Sequence, residues 1–237
     1  MRWLRDMYDR WRLHSSFKTA ARHHSIVLSA GMPRSGSTWL FNAARLLLRE
    51  RSDVSSGWVG EWTNLPRQPT MLVKVHDFDP VLAKHARVVL YSYRDIRDAL
   101  ASSKRMFRTE PTLEAARQWL QWDHHWRSRA DCMFRYESAQ ADPLDAIERL
   151  AQALDIPVAD PELIQRELMR VEFQPRRSGP GQYDRESLLH PGHITDGRHG
   201  SWKGWLSPAL LQQIERECGD WLVANHYPLE TSTSVAA

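Results

Sequence analysis

The chain has 237 residues, of which 42% are hydrophobic and 26% charged, a composition typical of a globular protein large enough to bury a core in one domain. The formal net charge of +3 gives no bulk support for nucleic-acid binding, and two cysteines exclude a disulfide framework. No long apolar stretch and no secretory signal are present, so we expect no membrane span and a cytoplasmic setting.

Residues 1–24 are predicted to form a basic, tryptophan-rich amphipathic helix. Such a helix can lie on an anionic membrane, but an aromatic stripe more commonly packs onto its own domain or a partner subunit. We favour the second interpretation and leave the oligomeric state open. The stripe consists of Trp3, Leu4, Met7, Tyr8 and Trp11, and the basic residues are Arg2, Arg5, Arg10, Arg12, Lys18 and Arg22.

A strand, a tight loop and a helix are predicted in succession from Ser25 to Arg49. The apolar run Ile26–Leu28 suits a buried strand, the segment Gly31–Gly36 suits a tight loop, and a longer apolar run then suits a helix. Backbone N–H groups at such a loop and first helical turn attract anions. An ordinary helix start capped by Ser37 or Thr38 is the alternative. The Gly-Lys-Ser/Thr ending of the usual nucleotide P-loop is absent.

The segment Pro33–Trp39, Pro-Arg-Ser-Gly-Ser-Thr-Trp, resembles the phosphosulfate loop of sulfotransferases that use 3′-phosphoadenosine 5′-phosphosulfate (PAPS). The cytosolic members of that family carry Pro-Lys-Ser-Gly-Thr-Thr-Trp there. The arginine keeps the charge of the family's lysine but differs in reach. The resemblance implies a 5′-phosphate cradle and an aromatic edge for the adenine, formed by Arg34, Ser35, Gly36, Ser37, Thr38 and Trp39.

The next strand predicted is Met71–Val75, which we take as the second strand of the chain. Between the two strands, Arg51–Pro69 is predicted to be a loop or short helix near the acceptor side, with Trp58 and Trp62 four residues apart. Polar residues at the exit of a buried strand are typical of ligand sites in α/β sheets. Lys74 and His76 match the family's Lys-Thr-His, whose histidine is the catalytic base.

A third predicted strand, Arg87–Tyr93, is followed by Arg94 and by a helix that begins near Asp95. The family holds the 3′-phosphate with an arginine at the end of this strand and a serine eight residues later. Arg94 and Ser102 have that spacing, and they are implied 3′-phosphate ligands.

The helix predicted for Pro111–Arg129 carries Trp119, Trp122 and Trp126 on one face. Core packing is the first interpretation of this face and an acceptor wall is the second. The neighbouring His124 and His125 lack a third ligand at metal-site spacing, so we predict no metal site.

A fourth strand is predicted over Cys132–Tyr136, followed by helices that begin at Asp142-Pro143 and at Pro161 and end at about Leu154 and Met169. The family has a Tyr-Glu pair at this place, and its tyrosine helps to hold the adenine. Tyr136 is therefore an implied cofactor residue.

The segment Val171–Gly200 is rich in glycine and proline and is predicted to be a mobile cap loop. It leads into Gly200-Ser201-Trp202-Lys203, which matches the end of the family's Arg-Lys-Gly-x-x-Gly-Asp-Trp-Lys. Thr195 and Asp196 stand where that motif has Arg-Lys, so we assign the missing charge to Arg198, with Gly200 beside it. Ser207-Pro208 starts a final helix, and residues 229–237 are predicted to be a disordered tail.

Taken in order, these motifs imply a sulfotransferase domain over residues 25–228. The implied fold is a single α/β domain with a central, mostly parallel sheet flanked by helices, similar to nucleotide kinases. The implied reaction moves the sulfuryl group of PAPS to a hydroxyl, or less favourably an amine, of a small-molecule, sugar or lipid acceptor, and leaves adenosine 3′,5′-bisphosphate (PAP). His76 is the implied base, Lys74 and Arg34 are the implied charge-neutralising groups, and no metal is required.

Two other classes remain open at this point. A nucleotide-dependent kinase would need a P-loop lysine and an acidic magnesium ligand, neither of which the motifs supply. A non-catalytic module would bind PAP or dock at a membrane through residues 1–24. Replacing His76 by alanine would distinguish the enzyme from the binding module, because an enzyme should lose turnover while it still binds PAP.

Overall fold

The computed structural model describes residues 2–174, 183–192 and 197–230, with side chains described from residue 6 onward. Thr195 and Asp196, part of the predicted cap loop and most of the predicted tail lie outside these ranges.

One five-stranded sheet forms the centre of the described domain, in the order β2-β3-β1-β4-β5. Every described strand pair is parallel, so the sheet predicted to be mostly parallel is parallel throughout its described part. The strands are β1 (Ser25–Gly31), β2 (Val54–Trp58), β3 (Thr70–Val75), β4 (Val88–Tyr93) and β5 (Cys132–Arg135).

The helices cover both faces of the sheet, which is why strands β1, β3 and β4 are apolar on both sides. Alternate residues of β1 enter different cores: Val27 packs under α2 and α7, while Ile26 and Leu28 pack on the opposite face. The helices are α1 (Arg2–Ala20), α2 (Ser37–Arg49), α3 (Pro80–His85), α4 (Ile96–Phe107), α5 (Leu113–Arg127), α6 (Tyr136–Ala141), α7 (Pro143–Ala153), α8 (Pro161–Met169) and α9 (Pro208–Ala224).

Two sequence predictions about elements are wrong, and one short helix was missed. The segment predicted to be only a loop or short helix contains strand β2 before a short 3₁₀ helix (Val59–Asn64), so Met71–Val75 belongs to the third strand of the chain. Strand β5 ends at Arg135, and Tyr136 begins a helix instead of ending the strand. Helix α3 was not predicted; the Asp79 side chain caps it by accepting hydrogen bonds from Val81 N and Leu82 N.

The predicted N-terminal helix forms and docks on the domain through its second half. Phe17 is fully buried against Trp62, with ring centroids 4.8 Å apart, and Trp62 Nε1 donates to Ser16 Oγ. His14 Nε2 lies 2.7 Å from Asp79 Oδ2. The docking residues are thus not those of the predicted aromatic stripe. Of the helices described, none is both long and apolar enough to cross a bilayer.

The carboxyl ends of all five strands meet at one edge of the sheet. From the central strand β1 the chain passes to β2 and β3 on one side and then to β4 and β5 on the other. Ligands of open α/β sheets bind at such a switch point. The topology therefore predicts where the site lies.

Candidate active site

A cavity of about 490 Å³ opens at this edge of the sheet. Each strand contributes to its wall through its last residue or the loop that follows, from Trp58 at the end of β2 to Tyr136 after β5. Ten of the sequence-predicted site residues line it together: Arg34, Gly36, Ser37, Thr38, Trp39, Lys74, His76, Arg94, Ser102 and Tyr136.

The loop between β1 and α2 has a backbone conformation that requires glycine at Gly36. Its φ is +76°, and a Cβ atom there would lie 2.7 Å from the ring of Tyr136. The Ser35 side chain turns inward, where its Oγ lies 2.7 Å from the carbonyl oxygen of Met32 and 3.0 Å from that of Ser92 and can donate its one proton to either. Ser35 was predicted to bind a cofactor; its side chain instead fixes the loop and does not line the cavity.

Three cationic side chains converge on the cavity. Lys74 is 5% exposed, and its Nζ donates to Thr38 Oγ1 over 2.5 Å. Burial, followed by the charge of Arg34, lowers the pKa of Lys74 to about 7. Burial also lowers the pKa of Arg34 to about 10, with a further contribution from the charge of Arg94. A buried site in which neighbouring cations lower the pKa values of Lys74 and Arg34 favours an anionic ligand.

Arg94 and Ser102 lie where a second anionic group can be bound. The Arg94 side chain is buried, its guanidinium lies over the ring of Tyr136 at 4.2 Å, and its Nη2 donates to the carbonyl oxygen of Arg198. Arg94 Nε is buried without a hydrogen-bond partner among the described residues. Ser102 Oγ accepts from Arg34 Nε over 3.1 Å, so the loop after β1 and helix α4 are in direct contact.

His76 is fixed in one tautomer by its backbone environment. Its Nδ1 lies 2.6 Å from the carbonyl oxygen of Gly31, which can only accept a hydrogen bond, so Nδ1 carries the proton and Nε2 is left with a lone pair. Burial, followed by the charge of Lys74, lowers the pKa of His76 to about 3. The imidazole is therefore neutral and can accept a proton at Nε2.

Two tryptophans hold His76 in place. The ring of Trp58 lies 5.3 Å from the imidazole, and Trp126 Nε1 donates to the His76 carbonyl oxygen over 2.9 Å. Trp126 is fully buried, and Trp119 and Trp122 pack against the cores, so the core interpretation of this helix face is confirmed and the acceptor wall is wrong.

The segment after residue 197 is attached to helix α4 by one buried carboxylate. Asp98 accepts hydrogen bonds from Gly200 N (2.8 Å), Ser201 Oγ (3.0 Å) and Trp202 N (3.0 Å). Arg198 and Gly200, predicted to bind a cofactor, do not line the cavity; the first supplies the carbonyl that Arg94 contacts. The segment that begins at residue 197 therefore supports Arg94 through the Arg198 carbonyl oxygen.

Solved structures with a similar fold were found by comparison, although no protein-family profile and no curated protein matches the sequence significantly. Mouse sulfotransferase SULT7A1 complexed with PAP superposes with a TM-score of 0.63 at 15% identity, and 89% of each chain is covered. Retinol dehydratase with androsterone and the inactive cofactor PAP gives a TM-score of 0.57 at 17% identity, covering 84% of this chain and 80% of that chain. Its complex with retinol and PAP gives 0.56 at 16% identity, with coverage of 84% and 82%.

This chain has the sulfotransferase fold. The predicted fold class is confirmed, with the corrections to individual elements given above.

One wall of the cavity in this sulfotransferase fold comes from the predicted cap loop, although the sequence analysis assigned none of residues 183–190 to the site. Residues 183–190 cover the cavity and are held on helix α2, where Asn42 Nδ2 donates to the Ser187 carbonyl oxygen and Arg45 pairs with Glu186. This roof contributes Tyr183, Leu188, Leu189 and His190, and Phe107 of α4 joins it. Burial, followed by the neighbouring Glu61 of the 3₁₀ helix, raises the pKa of Tyr183 to about 12. No local pattern marks these residues, because only the tertiary fold brings them to the cavity.

Proposed function

We propose that this protein is a PAPS-dependent sulfotransferase that acts on a hydroxyl of a small-molecule acceptor. One observation carries the proposal. The same cavity contains a cluster of buried cations and, next to it, a histidine whose Nε2 is an unprotonated acceptor.

The cavity fits a cofactor with two separate phosphate groups. Among the described residues, Lys74 has no carboxylate within ion-pair distance. The buried Nε of Arg94 has no hydrogen-bond partner among them either. Lys74 therefore leaves a positive charge for an anion to neutralise, and Arg94, whose Nη2 lies 3.8 Å from Asp98 Oδ2, leaves a free donor at Nε. In this proposal Arg34, Lys74 and the first turn of α2 hold the 5′-phosphate, and Arg94 and Ser102 hold the 3′-phosphate.

The adenine would lie against aromatic side chains. Trp39 and Tyr136 line the cavity next to the phosphate loop, and flat rings suit a purine face or edge. When bound, PAPS supplies an activated sulfuryl group and leaves as PAP.

The proton of the acceptor hydroxyl would pass to His76 Nε2. The hydrogen bond from Nδ1 to Gly31 keeps this nitrogen available, and a bound anion beside Lys74 would offset the positive field that lowers the pKa of His76. Lys74 and Arg34 would stabilise the negative charge that develops on the phosphate, in the way that fixed cations stabilise transition states.

A small apolar alcohol or phenol fits the acceptor side best. The cavity wall next to Trp58 and Phe107 is completed by Leu168, Val171, Tyr183 and Leu189. The retinol dehydratase structures contain androsterone or retinol with PAP, and both compounds carry an apolar skeleton. Sugar, amine and lipid acceptors belong to the same proposal at lower priority.

The kinase alternative is not supported by the residues that line the described cavity. Magnesium nucleotides are bound with the help of carboxylate ligands. The described residues that line the cavity include no Asp or Glu.

The test is transfer of radiolabelled sulfate from PAPS to a panel of alcohols and phenols that includes androsterone and retinol. His76→Ala is expected to lose about 100- to 10,000-fold in turnover while PAP affinity, measured by calorimetry, stays close to that of the wild type. His124→Ala, on the exposed side of α5, is the control and should retain both properties. A His76→Ala variant that keeps its turnover would refute the role of the base.

A further inference from the structure

The N-terminal half of helix α1 carries an exposed apolar group. Met7 is 52% exposed, Tyr8 56% and Trp11 64%, and the rings of Tyr8 and Trp11 stack with centroids 6.1 Å apart. We call these three residues the α1 stripe. A cluster of large apolar side chains that remains exposed on a folded domain indicates an interaction surface.

The α1 stripe lies beyond the part of the helix that packs on the domain. All described side chains from Asp6 to Arg12 are exposed, whereas burial begins at Leu13. Arg10 makes one ion pair with Asp79 at 3.5 Å. The buried contacts of α1 with the domain are thus confined to its second half, and the α1 stripe takes no part in them.

The basic excess of the whole chain is located at this helix. Residues 1–24 contain six basic and two acidic residues, and the remaining 213 residues contain 26 basic and 27 acidic ones. The net charge of +3 therefore does not describe a uniformly basic protein. It describes a near-neutral domain with one cationic segment, and such a segment is complementary to an anionic partner.

The charges are arranged around the α1 stripe in an ordered way. With 3.6 residues per helical turn, Asp6 and Asp9 fall on the side of the helix away from Trp11. Arg12 borders the stripe, and the exposed Lys18 continues the face of Trp11 two turns further on. The exposed face thus combines apolar side chains with cations, and the acidic residues lie elsewhere.

We propose that the α1 stripe docks this protein on an anionic lipid surface. Tryptophan and tyrosine concentrate at the membrane–water interface, and flanking Arg and Lys contact anionic headgroups. A nucleic acid would be bound by the cations without use of Met7, Tyr8 and Trp11. A second copy of the chain would bring two cationic helices together, and their repulsion disfavours that occupant.

Docking through α1 would also determine how close the cavity lies to the lipid surface. Arg10 contacts Asp79, which follows His76 by three residues, and α1 also packs on the 3₁₀ helix that follows Trp58. Lipid docking would therefore hold the end of the sheet that carries His76 next to the bilayer. The proposal does not depend on the cofactor, because lipid binding is measured without it.

The test is co-sedimentation of the full chain with vesicles of phosphatidylcholine alone and of phosphatidylcholine containing phosphatidylglycerol. The wild type should bind the anionic vesicles, and added salt should weaken this binding. Replacing both aromatic residues (Tyr8→Ser and Trp11→Ser) should reduce the affinity at least about ten-fold. Arg12→Glu, which changes the charge by two, should reduce it by about 25-fold.

Met169→Ser is the matched control, because Met169 is 79% exposed on α8, away from α1. It should bind like the wild type, and all variants should unfold at the wild-type temperature. Equal binding to neutral and anionic vesicles, or no binding, would overturn the proposal. If the wild type forms a dimer and the double variant does not, the α1 stripe binds a second copy of the chain. If the wild type binds DNA and the double variant does not, the partner of the stripe is a nucleic acid.

Discussion

At the scale of single residues, the candidate site is formed by side chains that lie in unfavourable places for a protein without ligand. Lys74 is buried with only the Thr38 hydroxyl as its described partner, and the pKa of its ammonium is lowered to about 7 by burial and by Arg34. Positions of this kind cluster at functional sites. The stability of the free protein and its affinity for an anion are therefore opposed at Lys74.

Lys74→Met is expected to stabilise the ligand-free protein and to abolish PAP binding. The folded-state pKa of Lys74 is below its unfolded value of 10.5, so the unfolded chain binds more protons between pH 7 and pH 10.5, and the wild-type stability rises with pH in that window. The variant has no ammonium group at this position, so its stability lacks this pH dependence. It should be more stable by about 2–4 kcal/mol at pH 7, and the gap should narrow by about 1.4 kcal/mol per pH unit towards pH 9.

Denaturant unfolding of both proteins at several pH values measures this gap. Lys203→Met is the control, because Lys203 is 62% exposed and pairs with Glu230 at the surface. A constant difference between the wild type and Lys74→Met across the pH range would show that the Lys74 ammonium has no depressed pKa.

At the scale of elements, helix α4 connects the Arg94 side of the cavity to the C-terminal segment. Arg94 lies just before the helix and faces the cavity, while Asp98, one turn further on, binds the segment Gly200–Trp202. Arg97 lies between them on the buried side and pairs with Asp95 and with Glu215 of α9. A disturbance of Asp98 should therefore reach the cavity through Arg94.

Asp98→Asn should destabilise the protein by about 2–3 kcal/mol and weaken PAP binding. The amide keeps one acceptor oxygen, but its nitrogen cannot accept the hydrogen bond from Gly200 N, and a buried donor is left unpaired. Asp145→Asn on the exposed face of α7 is the control, with an expected change within about 0.5 kcal/mol. Thermal unfolding measures the loss of stability, and calorimetric titration measures the affinity for PAP. Equal stability and affinity of Asp98→Asn and Asp145→Asn would contradict the coupling of Asp98 to the cavity.

Local sequence patterns predicted four of the five described strands and missed one. Strands β1, β3, β4 and β5 were predicted because they are short apolar runs next to polar exits. Strand β2 was missed because Val-Ser-Ser-Gly-Trp lacks an apolar run; it is stabilised at the edge of the sheet by pairing with β3. The C-terminal end of the predicted strand Cys132–Tyr136 was misplaced by one residue because the apolar pattern continues across the strand-to-helix junction.

At the scale of the whole molecule, the topology assembles one cavity from residues between Pro33 and Gly197. Motif residues were predictable because each motif is local: a strand end with the loop or helix that follows it. The roof from Tyr183 to His190 was not, because its place depends on contacts with α2, such as that of Asn42 with Ser187. In the proposed function the acceptor would lie against such residues, so the acceptor is less predictable from sequence than the cofactor.

The central claim is that this cavity binds a nucleotide through separate 5′- and 3′-phosphate sites. The measurement that tests it most directly is the thermal unfolding midpoint of the wild type and of Arg94→Ala with PAP, with ATP plus magnesium, and with neither. Each shift is taken from the variant's own ligand-free midpoint, so any loss of stability from the substitution cancels.

At about 100-fold over its dissociation constant, PAP should add roughly 2.7 kcal/mol to the wild type, a rise on the order of 5–10 °C for a domain of this size. ATP with magnesium should give a much smaller shift, and Arg94→Ala should lose most of the PAP shift. An equal or larger shift with ATP, or a PAP shift that Arg94→Ala leaves intact, would contradict the account.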